Sequence, residues 1–260
     1  EKNTSTELDV MVIGQQWWWE HRYDVDGDGF FRDADGDGEI WGADGAGGDA
    51  DDREWPLELA LDPDDLVVPN ELVIPAGVQV DLTITSRDVI HSYWIPRLNG
   101  KRDMVPGRVH TNKLQADEPG IYTGQCTEFC GLSHANMRME VIAMTPEDFE
   151  AWKAGQLEAY EAPAAGTLAA SGEQTFIAQC SRCHQVNGLE DADGAPIIAR
   201  PDLAVYSGAA PNLSWLMTRN TFAGASFDLL NDECRPAVWD APPADVGEKY
   251  LEGVTPDCLN

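Results

Sequence analysis

Basic side chains are scarce in this sequence. Its 260 residues contain 17 Lys and Arg against 46 Asp and Glu, so the formal net charge at pH 7 is −29. A surface of this sign repels nucleic acids and anionic lipids and attracts cationic partners. Nucleic-acid binding is therefore excluded, whereas adaptation to a salty medium and docking of a basic partner both stay open as explanations of the charge.

Long apolar runs are missing as well. No stretch reaches the roughly 18 consecutive apolar residues that a membrane-spanning helix needs. The chain as given is therefore expected to be soluble. It begins at Glu1 without an initiator Met or a signal-peptide pattern, and we interpret it as a mature or trimmed product.

Cysteines are few, and the six fall into three pairs. The pairs are Cys126 with Cys130, Cys180 with Cys183, and Cys234 with Cys258. The first two pairs have spacings typical of metal or cofactor sites, whereas the third has no potential ligand residue beside it. A disulfide is the default for such a pair in an exported protein, with two free thiols as the alternative.

The strongest motif places two thiols, an imidazole and a thioether within twelve residues. These side chains belong to Cys126, Cys130, His134 and Met137. Soft sulfur together with imidazole nitrogen suits copper and zinc, and Met has no structural role at zinc sites. A blue-copper site uses a single Cys, whereas a second thiolate four residues away lets both sulfurs bridge two metal ions. The motif therefore favours a dinuclear copper site.

Two coppers would require further ligands. The backbone carbonyl of Glu128, between the two thiols, can supply a weak one, and His91, in a β-type run over 88–96, is the expected second imidazole. The alternative is a local disulfide between Cys126 and Cys130. Such a disulfide would leave His134 and Met137 unexplained.

The pattern Cys-x-Glu-x-Cys-Gly-x-x-His-x-x-Met, with Asp-Val-x-His-Ser upstream, resembles the dinuclear CuA site of cytochrome c oxidase subunit II. The resemblance covers most of residues 85–143. It implies that His91, Cys126, Glu128, Cys130, His134 and Met137 hold the two copper ions. It further implies that Glu128 binds magnesium or manganese through its carboxylate, and that Trp17 lies at the surface as the electron entry point. Trp18 is expected in the core, and His21 at the surface.

Short β-type runs follow one another from Leu57 to Met144. They cover 57–61, 66–68, 71–74, 78–85, 89–95, 109–115, 120–125 and 137–143, and turn signals separate many of them. This spacing predicts an antiparallel Greek-key sandwich. The family resemblance implies that it is cupredoxin-like, with the metal loop between its last two strands.

An acidic insertion at 24–54 departs from the family pattern. Its spacing of Asp24, Asp26, Asp28 and Asp35 is that of an EF-hand loop with Asp in place of the final Glu. Calcium binding is one interpretation. The alternative is a disordered acidic hairpin tip, because dense like charge repels itself.

The second half of the chain carries a different cofactor motif. A helix capped by Thr145 is predicted to close the first domain, 1–160, and 161–171 has linker composition. A helix starting at Ser171 then leads to Cys180, Cys183 and His184, a C-x-x-C-H motif typical of covalent heme c. A thioredoxin-like dithiol is the alternative. Residues 172–260 are thus predicted to form a small all-α cytochrome c domain.

The distal heme ligand is left open by the sequence. Cytochrome c domains usually place an axial Met late in the chain, and no Met follows Met217. Either Met217 serves, or the chain ends before the ligand, and we favour a C-terminally incomplete domain. The segment around Pro211 resembles the one that orients the proximal imidazole in cytochromes c by a backbone hydrogen bond.

The resemblance implies a respiratory function. Electrons would pass from heme c through the dicopper centre to the catalytic subunit I, which reduces oxygen to water and pumps protons. A cytochrome c or another donor would supply them. The family's membrane helices, absent from this chain, would hold it at the outer face of a bacterial or archaeal membrane. The alternatives are the CuA domain of a nitrous-oxide-reductase-like enzyme, and a soluble periplasmic electron carrier or copper-delivery protein.

Overall fold

The computed structural model describes residues 8–25, 66–98, 100–190, 210–252 and 256–258. They divide into two compact units. The described residues of Glu1–Tyr23, Leu66–Glu158 and Leu213–Asn260 form the first unit, and those of Asp24–Asp65 and Ala159–Asn212 form the second. Residues from Leu213 onward thus cluster with the β domain, whereas the sequence had placed all of 172–260 in one cytochrome c domain.

Ten of the described strands build the sandwich of the first unit. In chain order they are β1 (Leu8–Gln15), β2 (Trp18–Tyr23), β3 (Leu66–Pro69), β4 (Glu71–Pro75), β5 (Val80–Ser86), β6 (His91–Trp94), β7 (Arg102–Met104), β8 (His110–Leu114), β9 (Gly120–Cys126) and β10 (Arg138–Met144). One sheet has the order β3-β2-β1-β5-β8 and the other the order β4-β10-β9-β6-β7. The two five-stranded sheets form a sandwich with a core of Val, Leu, Ile, Met and aromatic side chains.

The predicted mainly β, cupredoxin-like sandwich is confirmed. The predicted β-type runs from 66 to 143 correspond to observed strands, and the run at 57–61 lies outside the described residues. The expectation of an entirely antiparallel sandwich is wrong, because β1 pairs with β5, and β4 with β10, in parallel. Parallel pairs need long crossover connections, and both pairs join strands that are far apart in the sequence.

Helix α1 (Pro146–Gln156) follows the last strand of the sandwich. The hydroxyl of Thr145 accepts a hydrogen bond from the backbone N–H of Asp148, as predicted for the cap. The helix buries Phe149 and Trp152, and the Trp152 ring lies 5.4 Å from that of Tyr23 on β2. The helix thereby covers one end of the core.

In the second unit, α2 (Leu168–Gln179) is the only helix among the described residues. Its N-cap lies four residues earlier than predicted, because Thr167 rather than Ser171 caps it by accepting a hydrogen bond from Ala170 N–H. The stretch interpreted as a linker therefore ends in a helical turn. The all-α cytochrome c domain stays a prediction.

The C-terminal segment of the first unit consists of a short hairpin and small helices. These are β11 (Thr221–Phe222), β12 (Phe227–Asp228), α3 (Arg235–Trp239) and α4 (Val246–Leu251), with 3-10 turns at Leu216–Thr218, Pro243–Asp245 and Pro256–Cys258. The predicted disulfide between Cys234 and Cys258 is confirmed, with a Cα–Cα distance of 5.5 Å. No helix in the described ranges is both long and apolar enough to cross a bilayer.

Two buried carboxyl groups lie side by side where this segment meets the sandwich. Glu71 on β4 and Glu140 on β10 are register partners, and both side chains are buried. Glu71 accepts hydrogen bonds from Asn220 and Thr221 N–H, from the Thr221 hydroxyl and from the Tyr250 hydroxyl. Burial, reinforced by the charges of Glu71 and Asp228, raises the pKa of Glu140 to about 9. Glu140 is therefore neutral at pH 7.

We expect Glu140→Gln to remove a pH dependence of folding. The folded protein keeps a proton on Glu140 that the unfolded chain releases above pH 4.5, so the unfolding free energy of the wild type should fall between pH 4.5 and about 9. One proton corresponds to a slope of about 1.4 kcal/mol per pH unit. Urea unfolding at several pH values measures it, with Glu118→Gln at an exposed site as the control. Identical slopes for Glu140→Gln and the wild type would contradict the account.

Candidate metal centre

Two neighbouring strands bring the distant parts of the candidate site together. On β9 the alternation of the pleat turns Tyr122, Gly124 and Cys126 inward. Strand β6 pairs with β9 in antiparallel fashion, with Tyr93 opposite Cys126. His91, at the start of β6, therefore comes next to Cys126 at one end of the sheet.

The sulfur atoms of Cys126 and Cys130 lie 3.8 Å apart, and neither forms a disulfide. Around them, His91 Nδ1 is 3.9 Å from the Cys126 Sγ, and His134 Nδ1 is 3.5 Å from the Cys130 Sγ. Met137 Sδ is 3.8 Å from the Cys130 Sγ. In the described part of the chain, one group of three or more His, Cys, Asp or Glu side chains is close enough together to hold a metal ion. It consists of His91, Cys126 and Cys130.

The backbone of Glu128 completes the set. Its carbonyl oxygen lies 3.2 Å from Cys126 Sγ, while the residue itself is exposed. Met137 and His91 are fully buried, and His134 is half-buried. The structure therefore places the other four predicted copper ligands around the sulfur pair of Cys126 and Cys130, at the boundary between the core and the surface.

Asp88 contacts the His91 ring on the side opposite the sulfur pair, and the sequence did not predict this contact. Its carboxylate lies 2.8 Å from His91 Nε2 and also accepts a hydrogen bond from Gln16 N–H. Burial alone would lower the pKa of His91, but the hydrogen bonds to Asp88 and Cys126 and the charges of these two groups together outweigh burial and raise it. With Nε2 facing Asp88, Nδ1 is the ring nitrogen directed at the sulfur pair. This carboxylate–histidine arrangement is common at metal sites.

The two thiols differ in acidity. Burial alone would raise the pKa of Cys126, but hydrogen bonding, chiefly to His91, lowers it to about 7. Burial and the neighbouring Cys126 thiolate raise the pKa of Cys130 to about 12. A metal that binds both as thiolates must therefore displace protons, and metal binding at such a site depends on pH.

Gly14 is a second residue whose role the sequence did not reveal. A Cβ atom at this position would lie 2.8 Å from Cδ2 of His91. The backbone of β1 thus forms a close-fitting wall against the imidazole. Together with Asp88 it leaves the His91 ring little freedom to turn.

Trp17, the predicted electron entry point, contacts the metal loop directly. Its indole N–H donates to the carbonyl oxygen of Cys130 at 3.1 Å, and the Gln16 side-chain amide donates to the same oxygen at 2.7 Å. The Trp17 ring is half-buried, whereas Trp18 is in the core as expected. Gly131, with φ +118°, is needed here because a Cβ would lie 2.9 Å from the Gln16 amide and 3.2 Å from the indole.

The prediction that His21 lies at the surface is wrong. His21 is fully buried, with hydrogen-bonding contacts to the carbonyl of Val68 and the hydroxyl of Tyr93. Burial lowers its pKa to about 4, so the ring is neutral. Flanking residues gave no local sign of this, because the two partners lie on other strands.

The C-x-x-C-H motif occurs at the end of α2 in the second unit. Cys180 and Cys183 are free and half-buried, and Cys180 forms the C-cap of the helix. His184 Nδ1 lies 2.7 Å from the carbonyl oxygen of Pro211, the contact expected from the resemblance to cytochromes c. Because a carbonyl oxygen only accepts, Nδ1 is the nitrogen that donates in this contact.

The two remaining predicted sites are the calcium site of the acidic insertion and the distal heme ligand. Of the calcium candidates, Asp24 is described, whereas Asp26, Asp28 and Asp35 lie outside the described residues. Calcium binding at this insertion stays a prediction. Met217, the candidate distal ligand, belongs to the first unit with its side chain 47% exposed, and the distal ligand stays open.

The donor set fits copper. Two sulfurs 3.8 Å apart can share one ion, since metal–thiolate bonds are about 2.3 Å long. Each sulfur has an imidazole nitrogen and a weaker donor beside it, Glu128 O at Cys126 and Met137 Sδ at Cys130. Thiolate, imidazole and thioether are the donors that copper prefers, and magnesium or calcium would need oxygen ligands. Fold and site together define a cupredoxin-like β sandwich with a two-thiolate candidate metal centre.

Comparison with known proteins agrees with this class. Residues 57–144 match the family described as cytochrome c oxidase subunit II, periplasmic domain. Cytochrome c oxidase subunit 2 of Alkalihalophilus pseudofirmus is 33% identical over 204 residues, which are 78% of this chain and 48% of that protein. Subunit 2 of Thermostichus vulcanus is 47% identical over 91 residues, 35% of this chain and 28% of the relative. The chain spans about half or less of the length of these curated relatives.

A solved structure is also similar. The periplasmic domain of subunit II of cytochrome oxidase from Bradyrhizobium japonicum is 25% identical, with a TM-score of 0.41. The match covers 58% of this chain and 94% of that structure.

Proposed function

We propose that this chain is the electron-carrying part of a subunit II of a respiratory heme-copper oxidase. In that role it passes electrons from a donor towards the catalytic subunit I, which reduces oxygen to water. The observation that carries the proposal is the convergence of two imidazoles, a thioether and a backbone carbonyl on the Cys126–Cys130 sulfur pair. The oxidase subunits among the similar proteins support it.

Each residue of the site has a distinct task in this proposal. Cys126 and Cys130 would bridge two copper ions, and His91 and His134 would each supply a nitrogen ligand. Met137 and the Glu128 carbonyl would be the weak ligands. When bound, the copper pair supplies a centre that accepts and releases one electron at a time.

The surrounding residues keep this shell from moving. Asp88 and Gly14 fix the orientation of His91, and Gln16 and Trp17 donate to the Cys130 carbonyl within the loop. A ligand shell that hardly changes between redox states favours rapid electron transfer, because little reorganisation accompanies it. The β sandwich is the scaffold that provides this rigidity.

The second unit would carry heme c. Cys180 and Cys183 would form the two thioether bonds, and His184 would be the proximal ligand through Nε2 while Pro211 O holds Nδ1. Bound heme would supply a second one-electron redox centre. The contact between His184 and Pro211 supports heme over a thioredoxin-like dithiol, which has no need of an oriented histidine.

The partners and location follow from the same proposal. The donor is a cytochrome c or a similar carrier, and a basic one suits the charge of −29. Membrane helices outside this chain would anchor it at the outer face of a bacterial or archaeal membrane. The exposed Glu128 carboxylate would be available for magnesium, and the acidic insertion for calcium.

We expect Trp17→Phe to slow electron entry without removing copper. Phe keeps most of the ring but loses the N–H that donates to Cys130 O. Loss of that contact should reduce the rate of electron uptake from reduced cytochrome c on the order of tenfold. Stopped-flow mixing of the copper-loaded chain with reduced cytochrome c measures the rate.

Trp215→Phe is a matched control. Trp215 is also partly exposed, and its indole N–H donates to a backbone carbonyl that does not belong to the metal loop, that of Gln156. The control should react as fast as the wild type. Equal rates of electron uptake in Trp17→Phe and Trp215→Phe would show that Trp17 serves only in packing. A copper-loaded wild type that takes up no electrons would contradict the proposed function itself.

A further inference from the structure

The hairpin of strands β11 and β12 touches the metal loop on the side of Met137. Its turn, residues 223–226, has three consecutive positive φ angles, at Ala223, Gly224 and Ala225. The hairpin lies beyond residues 57–144, which match the oxidase family. It therefore adds contacts to the site that the matched segment does not contain.

The turn holds the backbone on both sides of Met137. Gly224 O accepts a hydrogen bond from Arg138 N–H at 3.0 Å, and the Ser226 hydroxyl donates to Asn136 O at 2.9 Å. Asn136 and Arg138 are the two neighbours of Met137 in the chain. Met137 itself is fully buried with its Sδ 3.8 Å from Cys130 Sγ. Its backbone position is thus set by the turn as well as by the loop.

The fit between turn and loop is close. A Cβ atom at Gly224 would lie 2.6 Å from Asn136 O and 3.3 Å from Trp17 O, and the φ of +71° is itself unfavourable for other residues. The turn therefore touches both the ligand loop and the backbone of the predicted electron entry residue. Any side chain at position 224 has to displace one of them.

The hairpin is firmly attached to the sandwich. Immediately before the turn, Asn220 N–H, Thr221 N–H and the Thr221 hydroxyl all bind the buried carboxylate of Glu71. Leu229 N–H donates to Asn220 O and closes the hairpin. An element anchored in this way can impose its position on the loop rather than follow it.

We propose that the 223–226 turn is a positioning element for Met137, with Gly224 and Ser226 as positioning residues for the weak thioether ligand of the metal centre. The inference rests on the proposed function. An axial thioether tunes the redox potential of a copper–thiolate centre, so a small displacement of Met137 changes the potential. The C-terminal segment thereby sets the electron affinity of a site whose ligands all lie elsewhere.

The first test uses the metal-free full chain and hydrogen exchange. In Gly224→Ala the Arg138 amide should exchange about tenfold faster than in the wild type, because its bond to Gly224 O is displaced. Gly77→Ala is the matched control, since Gly77 has a φ of +78° in the same unit but no atom within 4 Å of an added Cβ. Equal exchange at Arg138 in the two variants would overturn the proposal.

The second test uses the copper-loaded chain and milder substitutions. Ser226→Ala should keep two coppers but shift the one-electron reduction equilibrium about fivefold, the effect of one hydrogen bond, with a changed near-infrared copper band. Ser226→Thr keeps the hydroxyl, so its reduction equilibrium and its near-infrared band should match those of the wild type. An unchanged potential and spectrum in Ser226→Ala would overturn the proposal. A wild type that fails to bind two coppers would instead contradict the proposed function, while the hydrogen-exchange test would still report on the contact.

Discussion

Cys130→Ser should abolish the two-copper centre. Cys130 Sγ is the atom on which the site converges, with Cys126 Sγ and Met137 Sδ each at 3.8 Å and His134 Nδ1 at 3.5 Å. A serine oxygen is a harder donor and does not ionise near neutral pH, so it cannot bridge two soft metal ions. We expect the copper content to fall from two per chain to one or none, with loss of the mixed-valence spectrum. Metal analysis and electron paramagnetic resonance of the full chain measure both.

Cys183→Ser is the matched control for this prediction. It changes the same residue type in the second unit and should reduce covalent heme attachment while leaving two coppers in place. Cys130→Ser should show the opposite pattern, with heme retained. Retention of both coppers in Cys130→Ser would refute the assignment of the bridging thiolates.

Glu71→Ala should have the largest effect on stability. The Glu71 carboxylate is fully buried and accepts two backbone N–H groups, the Thr221 hydroxyl and the Tyr250 hydroxyl, all from the C-terminal segment. Removing it leaves those donors buried without an acceptor. Breaking a buried polar cluster of this kind costs about 3–5 kcal/mol. Chemical unfolding of the first unit should show this loss.

The same substitution should loosen the C-terminal segment before the sandwich. Limited proteolysis is expected to cut between Asn220 and Tyr250 in Glu71→Ala and to spare the wild type. Glu71→Gln, which retains one acceptor oxygen, should be intermediate, and Glu118→Ala at an exposed site should behave as the wild type. An unfolding midpoint unchanged in Glu71→Ala would contradict the anchoring role of this carboxylate.

Most of the candidate metal ligands could be proposed from the sequence because their spacing is local. Cys126, Cys130, His134 and Met137 lie within twelve residues, and the chemistry of their donor atoms favours copper before any fold is known. His91 lies outside this loop and was expected as the second imidazole because a β-type run over 88–96 contains it, and the family resemblance implies the same residue. The strands from 66 onward were predictable because turn signals separate short apolar runs.

The supporting contacts could not be predicted, because they join residues far apart in the sequence. Thr221 and Glu71 are 150 positions apart, and neither has a neighbour that announces the contact. The same holds for Asp88 and Gln16, which are 72 positions apart. The parallel pairing of β1 with β5 likewise depends on how distant strands meet. Local patterns specify elements and ligand types, whereas these contacts depend on tertiary packing.

The C-terminal segment shows the same limit most clearly. The heme motif, the Pro211 region and a run of helical residues led to a single domain over 172–260. Residues from Leu213 onward instead form part of the first unit. Within that unit, residues 220–221 donate hydrogen bonds to the buried carboxylate of Glu71, a contact that no helix-forming pattern could reveal.

The central claim is that one sulfur pair, surrounded by two imidazoles and two weak donors, holds two copper ions that share an electron. The most direct measurement is the copper content of the loaded full chain together with its electron paramagnetic resonance spectrum. The account predicts two coppers per chain and a hyperfine pattern in which one unpaired electron is divided equally between two copper nuclei. A single copper per chain, or a spectrum in which the electron stays on one nucleus, would contradict it.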